Sequence, residues 1–118
     1  MLIELRTYTT HPGKLRDYLA LYQSEGFVIQ QRILGRLVGY YSSEIGELNQ
    51  VIHLWAYEDL KERSERRAAL LADPDFKAYV QKMMPLLVRQ ESRILTPAAF
   101  FTPTWQALPD GAEIKTNT

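Results

Sequence analysis

The chain has 118 residues, which is the size of a single domain with one hydrophobic core. Fourteen basic and fourteen acidic side chains give a formal net charge of zero, so nucleic acid is not expected as a partner. The composition is 46% hydrophobic and 24% charged, as in folded proteins, and the absence of cysteine excludes disulfides and thiolate metal sites.

The first half of the chain predicts a strand, a long helix and a hairpin. Residues 2–9 alternate apolar and polar side chains as a strand does, and the charges among them argue against a secretory signal or a membrane span. Residues 36–43 and 50–57 are rich in β-branched and aromatic residues and predict an antiparallel hairpin. Between the first strand and this hairpin, residues 14–34 predict a helix capped at Gly35. Its core-facing stripe is Leu15, Tyr18, Leu19, Tyr22, Ile29 and Ile33.

The second half predicts two helices and a last strand. Residues 58–72 are rich in charged helix-forming residues, and we interpret this charge run as a solvated helix face. Asp73 and Pro74 predict the start of another helix, since Asp caps free amides and Pro is tolerated at the first helical position. Pro85 lacks an N–H and should either kink that helix or end its regular bonding. Residues 91–97 are the last predicted strand.

The order of these elements is strand, helix, strand, strand, helix pair, strand. It predicts an α+β fold of the ferredoxin-like split βαβ type, with a four-stranded antiparallel sheet covered by helices on one face. We place this domain at residues 1–101 and an irregular tail at 102–118. An uncovered sheet face would expose a large apolar patch, and Phe100, Phe101 and Trp105 beyond Ala98 are too apolar to lie wholly in water, so we expect a homodimer or a higher assembly.

Four segments carry a family resemblance. Residues 4–8 (ELRTY), 35–40 (GRLVGY), 43–51 (SEIGELNQV) and 53–57 (HLWAY) resemble the NIPSNAP family, and the resemblance spans about residues 2–100. It implies a dimeric α+β barrel, in which two sheets meet face to face with the helices outside. It implies little about activity, because the wider superfamily includes cofactor-free monooxygenases, isomerases, haem-dependent enzymes and proteins with no established reaction.

Strand alternation decides which side chains share a face of the sheet. We assign one row to the face that packs on the helices: Ile3, Leu5, Ile52, Leu54 and Ala56. The other row is then expected to line the barrel interior: Glu4, Arg6, Tyr8, His53, Trp55 and Tyr57.

Two residues of the interior row are candidate catalytic residues. A buried arginine keeps its charge, so Arg6 should meet Glu4, Glu91 or an anionic ligand. His53 lies on a predicted strand and has an unperturbed pKa near neutrality, which suits acid–base chemistry. Arg6 either forms a structural ion pair or holds a ligand carboxylate or enolate together with His53. His53 either shares in binding that ligand or is a core histidine whose hydrogen bonds are satisfied. The candidate binding residues are Glu4, Tyr8, Trp55, Tyr57, Glu91 and Arg93.

Neither a metal nor a cofactor is expected, because the chain has two histidines in unlike settings and lacks glycine-rich phosphate-binding motifs. Two functions stay open. The protein binds a small amphipathic or aromatic molecule in the barrel interior, with a cofactor-independent oxygenase or isomerase role conceivable, or it is a non-catalytic oligomeric module. We expect a cytoplasmic location and no membrane partner, and whether the protein is an enzyme stays open.

Overall fold

A computed structural model describes residues 1–106 as one antiparallel sheet with helices packed on one face. The strands lie in the order β2-β3-β1-β4. They are β1 (Leu2–Thr10), β2 (Arg36–Ser42), β3 (Gln50–Tyr57) and β4 (Leu87–Leu95). The helices are α1 (Leu15–Leu21), α2 (Phe27–Leu34), α3 (Leu60–Ala72) and α4 (Pro74–Met83). The ferredoxin-like α+β fold predicted from the sequence is thereby confirmed.

Local sequence signals set the ends of the helices. The Asp73 carboxylate accepts a 2.9 Å hydrogen bond from the amide of Phe76 and caps α4, with Pro74 in the first position. Pro85 ends α4 in a 3₁₀ turn, and β4 begins directly after it, four residues before the predicted strand. None of the helices in residues 1–106 is long and apolar enough to cross a bilayer.

A π-helical turn over Tyr22–Gly26 joins α1 to α2. This turn holds more residues than a turn of α-helix, so the side that faces the core shifts beyond it. The buried residues of α2 are Gln30, Gln31 and Leu34, whereas the predicted stripe ran through Ile29 and Ile33, which are only partly buried. Ile29 and Ile33 pack against the core as predicted, but the most deeply buried positions of α2 are these other three.

The two faces of the sheet are the reverse of the predicted assignment. Tyr8 meets Tyr18 of α1 edge to face, with ring centroids 6.1 Å apart, and Glu4 bonds to Arg63 of α3. Trp55 is fully buried in the same core. The row predicted to line a barrel interior therefore faces the helices: Glu4, Arg6, Tyr8, His53, Trp55 and Tyr57.

The physical reason is the size of the side chains. The helices present large aromatic rings to the sheet, and rings on the sheet fill the space between them and bury more apolar area than the aliphatic row could. The row predicted to face the helices is on the uncovered face, where Leu5, Ile52 and Leu54 are only half-buried.

The chain after β4 crosses this uncovered face. Phe101 and Pro103 line an apolar groove of about 280 Å³ together with Ile3, Val38 and Leu54. The amide of Gln106 then donates a 2.9 Å hydrogen bond to the carbonyl of Leu37 on β2, at the opposite edge of the sheet. Of the aromatic residues predicted to need cover, Trp105 lies under the Arg36 guanidinium, whereas Phe100 is almost fully exposed. Residues 107–118 of the predicted tail lie outside the described residues.

Candidate functional site

Glu4 is the centre of a polar cluster between the sheet and α3. Its fully buried carboxylate accepts bonds from Arg63 Nε (2.9 Å) and Nη2 (2.8 Å), Arg6 Nη1 (3.0 Å) and Ser92 Oγ (2.5 Å). Burial raises the pKa of Glu4, but the bonds from Arg63 and Ser92 and the charge of Arg6 outweigh burial and hold this pKa at about 2. The predicted pairing of Arg6 with Glu4 is confirmed.

Arg6 is shared between this cluster and Tyr8. Its Nε donates a 3.1 Å hydrogen bond to the Tyr8 hydroxyl, and its side chain is 12% exposed. Both Arg6 and Tyr8 border a pocket described below, so the structure brings these two predicted site residues together.

His53 is fully buried in the aromatic core. Its Nδ1 accepts a 2.7 Å hydrogen bond from the indole of Trp55, and its ring stacks on Tyr40 and meets Tyr8 edge to face. Burial and the nearby Arg6 charge lower the pKa of His53 to about 3, so the ring is uncharged at neutral pH. Its Nε2 has no hydrogen-bond partner among residues 1–106. A catalytic role for His53 stays a prediction.

The remaining predicted binding residues lie in two places. Trp55 and Tyr57 are buried under the helices, and burial raises the pKa of Tyr57 to about 12. Glu91 and Arg93 lie on the uncovered face of β4, opposite Thr7 and Leu5. Glu91 pairs with Arg89 at 2.8 Å and does not approach Arg6. The structure therefore separates Glu91 and Arg93 from the other predicted site residues.

A pocket of about 140 Å³ opens between β1, β4 and the helices. Its polar lining includes Arg6, Tyr8, Gln30, Arg67 and Gln90. Its apolar lining is formed by Leu70, Leu71, Phe76, Val80, Met83 and Met84. Arg6, Tyr8, Gln30 and Leu70 are mostly or fully buried, whereas Leu71, Met84 and Gln90 are exposed, so the pocket has a buried inner end, where polar and apolar groups meet, and an open outer end.

Three of the polar lining residues, Arg67, Gln30 and Gln90, were missed by sequence reasoning. Arg67 belongs to the charge run that we interpreted as solvated, and only the structure shows that its side chain, on the inner side of α3, reaches the pocket. Gln30 is turned inward by the π-helical turn, and the Tyr22 hydroxyl donates a 2.6 Å hydrogen bond to its Oε1. No periodicity in the sequence reports either fact.

No group of three or more histidine, cysteine, aspartate or glutamate side chains within residues 1–106 is placed to hold a metal ion. The polar cluster at Glu4 is an arrangement of guanidinium groups around one carboxylate, which binds no cation.

The model of the NIPSNAP family matches residues 3–102. The chain belongs to the NIPSNAP family. A NipSnap homolog from Dictyostelium discoideum is 36% identical over 94 residues, which are 80% of this chain and 41% of that relative. The chain spans less than half the length of the curated NipSnap relatives it matches.

Solved structures of the NIPSNAP family have the same fold. An uncharacterized NIPSNAP-like domain protein from Burkholderia xenovorans is 47% identical, with a TM-score of 0.83 over 89% of this chain and 94% of that one. An antibiotic biosynthesis monooxygenase is 13% identical, with a TM-score of 0.58 over 83% of this chain and 99% of that one. At this identity the likeness shows the fold alone. NIPSNAP family members are of unknown function, and the fold is compatible with small-molecule binding.

Proposed function

We propose that the protein binds a small amphipathic molecule in the pocket between the sheet and the helices. The observation that carries this proposal is the division of the pocket lining. Arg6, Tyr8 and Gln30 contribute buried polar groups, and Phe76 and Met83 contribute buried apolar wall. Ligand sites combine mainly apolar walls with a few polar groups that fix orientation, and this pocket has both.

The size of the pocket limits the ligand. A volume of about 140 Å³ is well below the roughly 300 Å³ at which clefts begin to take drug-sized molecules. The ligand is therefore a small molecule such as an aromatic acid or a short aliphatic one. The proposed site lies on the helix side of the sheet, whereas the sequence predicted binding in the barrel interior.

The proposal concerns binding and not catalysis. A cofactor-independent oxygenase or isomerase reaction needs an acid–base group beside the reacting atoms. His53 does not line the pocket, and an imidazole with a pKa of about 3 is a weak base. The aromatic core around His53 supports a packing role for this residue.

A ligand screen by thermal shift tests the proposal. Small aromatic and aliphatic acids, amides and alcohols are screened, and we expect at least one to raise the melting temperature, since a ligand at a hundredfold excess over Kd stabilises by about 2.7 kcal/mol. Val80→Trp should abolish this rise in melting temperature, because the larger side chain would fill the pocket. The matched control is Ala78→Trp, on the exposed side of the same helix, which should keep the shift. A screen without a stabilising molecule, or a shift that survives Val80→Trp, contradicts the proposal.

A second proposal concerns the uncovered sheet face. We propose that it packs against a second copy of the chain, so that the protein is a homodimer. Leu5, Ile52 and Leu54 leave apolar area at its centre, and β4 adds the mixed charges of Arg89, Glu91 and Arg93 at its edge. A two-fold interface can pair such opposite charges with each other. The alternative function, a non-catalytic oligomeric module, rests on this face.

Native mass spectrometry tests the dimer. The unmodified protein should be a dimer at micromolar concentration, and Leu54→Glu should make it a monomer, because a buried carboxylate at the centre of the interface has no partner. Glu65→Lys, on the exposed side of α3, is the control and should stay dimeric. An unmodified protein that is monomeric would contradict the proposal.

A further inference from the structure

We propose that Arg67 is the residue that recognises the ligand, and that the ligand carries a carboxylate. This rests on the proposed function and names the chemistry of its site. Arg67 lines the polar part of the pocket, on the helix that covers Glu4.

The balance of charge around Glu4 is the first argument. The carboxylate of Glu4 is surrounded by the guanidinium groups of Arg6, Arg63 and Arg67. The four groups, three positive and one negative, together carry a net charge of +2. Among the charges that act most strongly on Arg67, Glu4 is the carboxylate. A half-buried excess of positive charge favours an anion, since burial weakens screening by water and salt.

The partners of the arginines on α3 are the second argument. Arg63 makes a bidentate bond to Glu4, and Arg66 bonds to Glu62 and to the carbonyl of Ile33. The guanidinium of Arg67 makes no hydrogen bond or ion pair to any residue from 1 to 106, although it is only partly exposed. Burial and the like charge of Arg6 lower the pKa of Arg67, as expected for a cation without its own counterion.

The directions of the hydrogen bonds are the third argument. The Tyr8 hydroxyl accepts from Arg6, which leaves its own O–H to donate. Gln30 Oε1 accepts from Tyr22, which leaves the amide NH₂ of Gln30 to donate. Tyr8, Gln30 and the guanidinium of Arg67 therefore all offer donors to the pocket, and the acceptors of Tyr8 and Gln30 are used within the protein. A carboxylate has acceptors only, so it fits this end, and its planar shape suits a guanidinium.

Methyl NMR with ¹³C-methionine tests this inference on the whole chain. The protein has three methionines, of which Met83 and Met84 line the pocket and Met1 does not, so Met1 serves as the reference signal. The probes are benzoate and benzamide, which share shape and differ in charge. We expect both to shift Met83 and Met84, with a Kd for benzoate about tenfold lower, as charge-assisted hydrogen bonds provide.

Substitutions on one helix separate Arg67 from a general charge effect. Arg67→Gln should raise the Kd of benzoate about tenfold and leave that of benzamide within about twofold. Arg67→Lys keeps the charge and should retain part of the preference. The matched control is Lys61→Gln, which removes one positive charge from the exposed side of α3 and should leave both Kd values unchanged.

Each result has one meaning. If benzoate and benzamide bind equally, or if Arg67→Gln behaves as Lys61→Gln does, the pocket binds but Arg67 does not recognise a carboxylate. If neither probe shifts Met83 or Met84 at millimolar concentration, the proposed pocket and this inference are both wrong. The comparison of the two probes in the unmodified protein decides the ligand class even if Arg67→Gln does not fold.

Discussion

The two faces of the sheet differ in a way that hydropathy alone would reverse. The helix face carries Glu4, Arg6 and His53 and is the core, whereas the uncovered face carries Leu5 and Leu54 and is half-exposed. Polar groups can form a core when they are hydrogen-bonded and when large rings pack around them. The difference teaches that the more polar row of a strand can be the more deeply buried one.

The largest expected effect comes from removing the buried carboxylate. Glu4→Gln keeps the shape of the side chain but leaves Arg63 and Arg6 without a counterion, so the free energy of unfolding should fall by about 3 kcal/mol. Glu91→Gln, which breaks an exposed ion pair with Arg89 on the other face, should cost less than about 1 kcal/mol. Urea denaturation measures both, and equal losses would contradict the distinction between the faces.

Acid should destabilise the protein through His53 over a defined pH window. The pKa of His53 is about 3 in the folded protein and 6.5 without its environment, so the unfolded chain binds a proton that the folded chain does not. The contribution of the neutral His53 to the free energy of unfolding is present above pH 6.5 and is lost as the pH falls towards 3. Between pH 6.5 and 5 the free energy of unfolding should fall by about 1.5 kcal/mol. Glu4 titrates between 4.5 and about 2, so it contributes little between pH 6.5 and 5.

The control for this pH dependence is His53→Gln, which has no titrating group and can still accept the Trp55 hydrogen bond. Between pH 6.5 and pH 5, the unmodified protein should lose about 1.5 kcal/mol more unfolding free energy than the variant does. An identical pH dependence in both would mean that His53 is not buried as a neutral ring.

A smaller difference in stability is expected between glycine-to-alanine substitutions on the two sides of the sheet. A Cβ at Gly26 would lie 2.9 Å from ring atoms of both Tyr22 and Tyr79, which are held in the core, so Gly26→Ala should cost about 1–2 kcal/mol. At Gly39 a Cβ would meet Tyr41, whose exposed ring on the uncovered face can turn aside. Gly39→Ala should therefore change stability by less than about 0.5 kcal/mol. Thermal unfolding compares the two, and equal costs would contradict tight packing under the helices.

The sequence was sufficient for the elements and their order. Periodicity placed the strands and helices, and Asp73, Pro74 and Pro85 marked helix ends through rules that depend on neighbouring residues alone. Alternation also separated the two rows of β1 and β3 correctly. It could not say which row faces the helices, because that depends on how the rows fit the helix side chains.

Long-range geometry accounts for what the sequence left out. The Glu4–Arg63 bond joins residues 59 positions apart, and no local pattern predicts it. Arg67 follows in the same charge run, so its place at the pocket was hidden among exposed charges. The π-helical turn that directs Gln30 inward has no signature in the spacing of apolar residues.

A crystal structure of the protein with benzoate tests the location of the site most directly. The proposed function predicts the benzoate ring against Met83 and Phe76 on the helix side of the sheet, with its carboxylate within hydrogen-bond distance of Arg67. Benzoate found instead in the apolar groove beside Leu54 and Phe101, or between two sheets in the dimer, would contradict it.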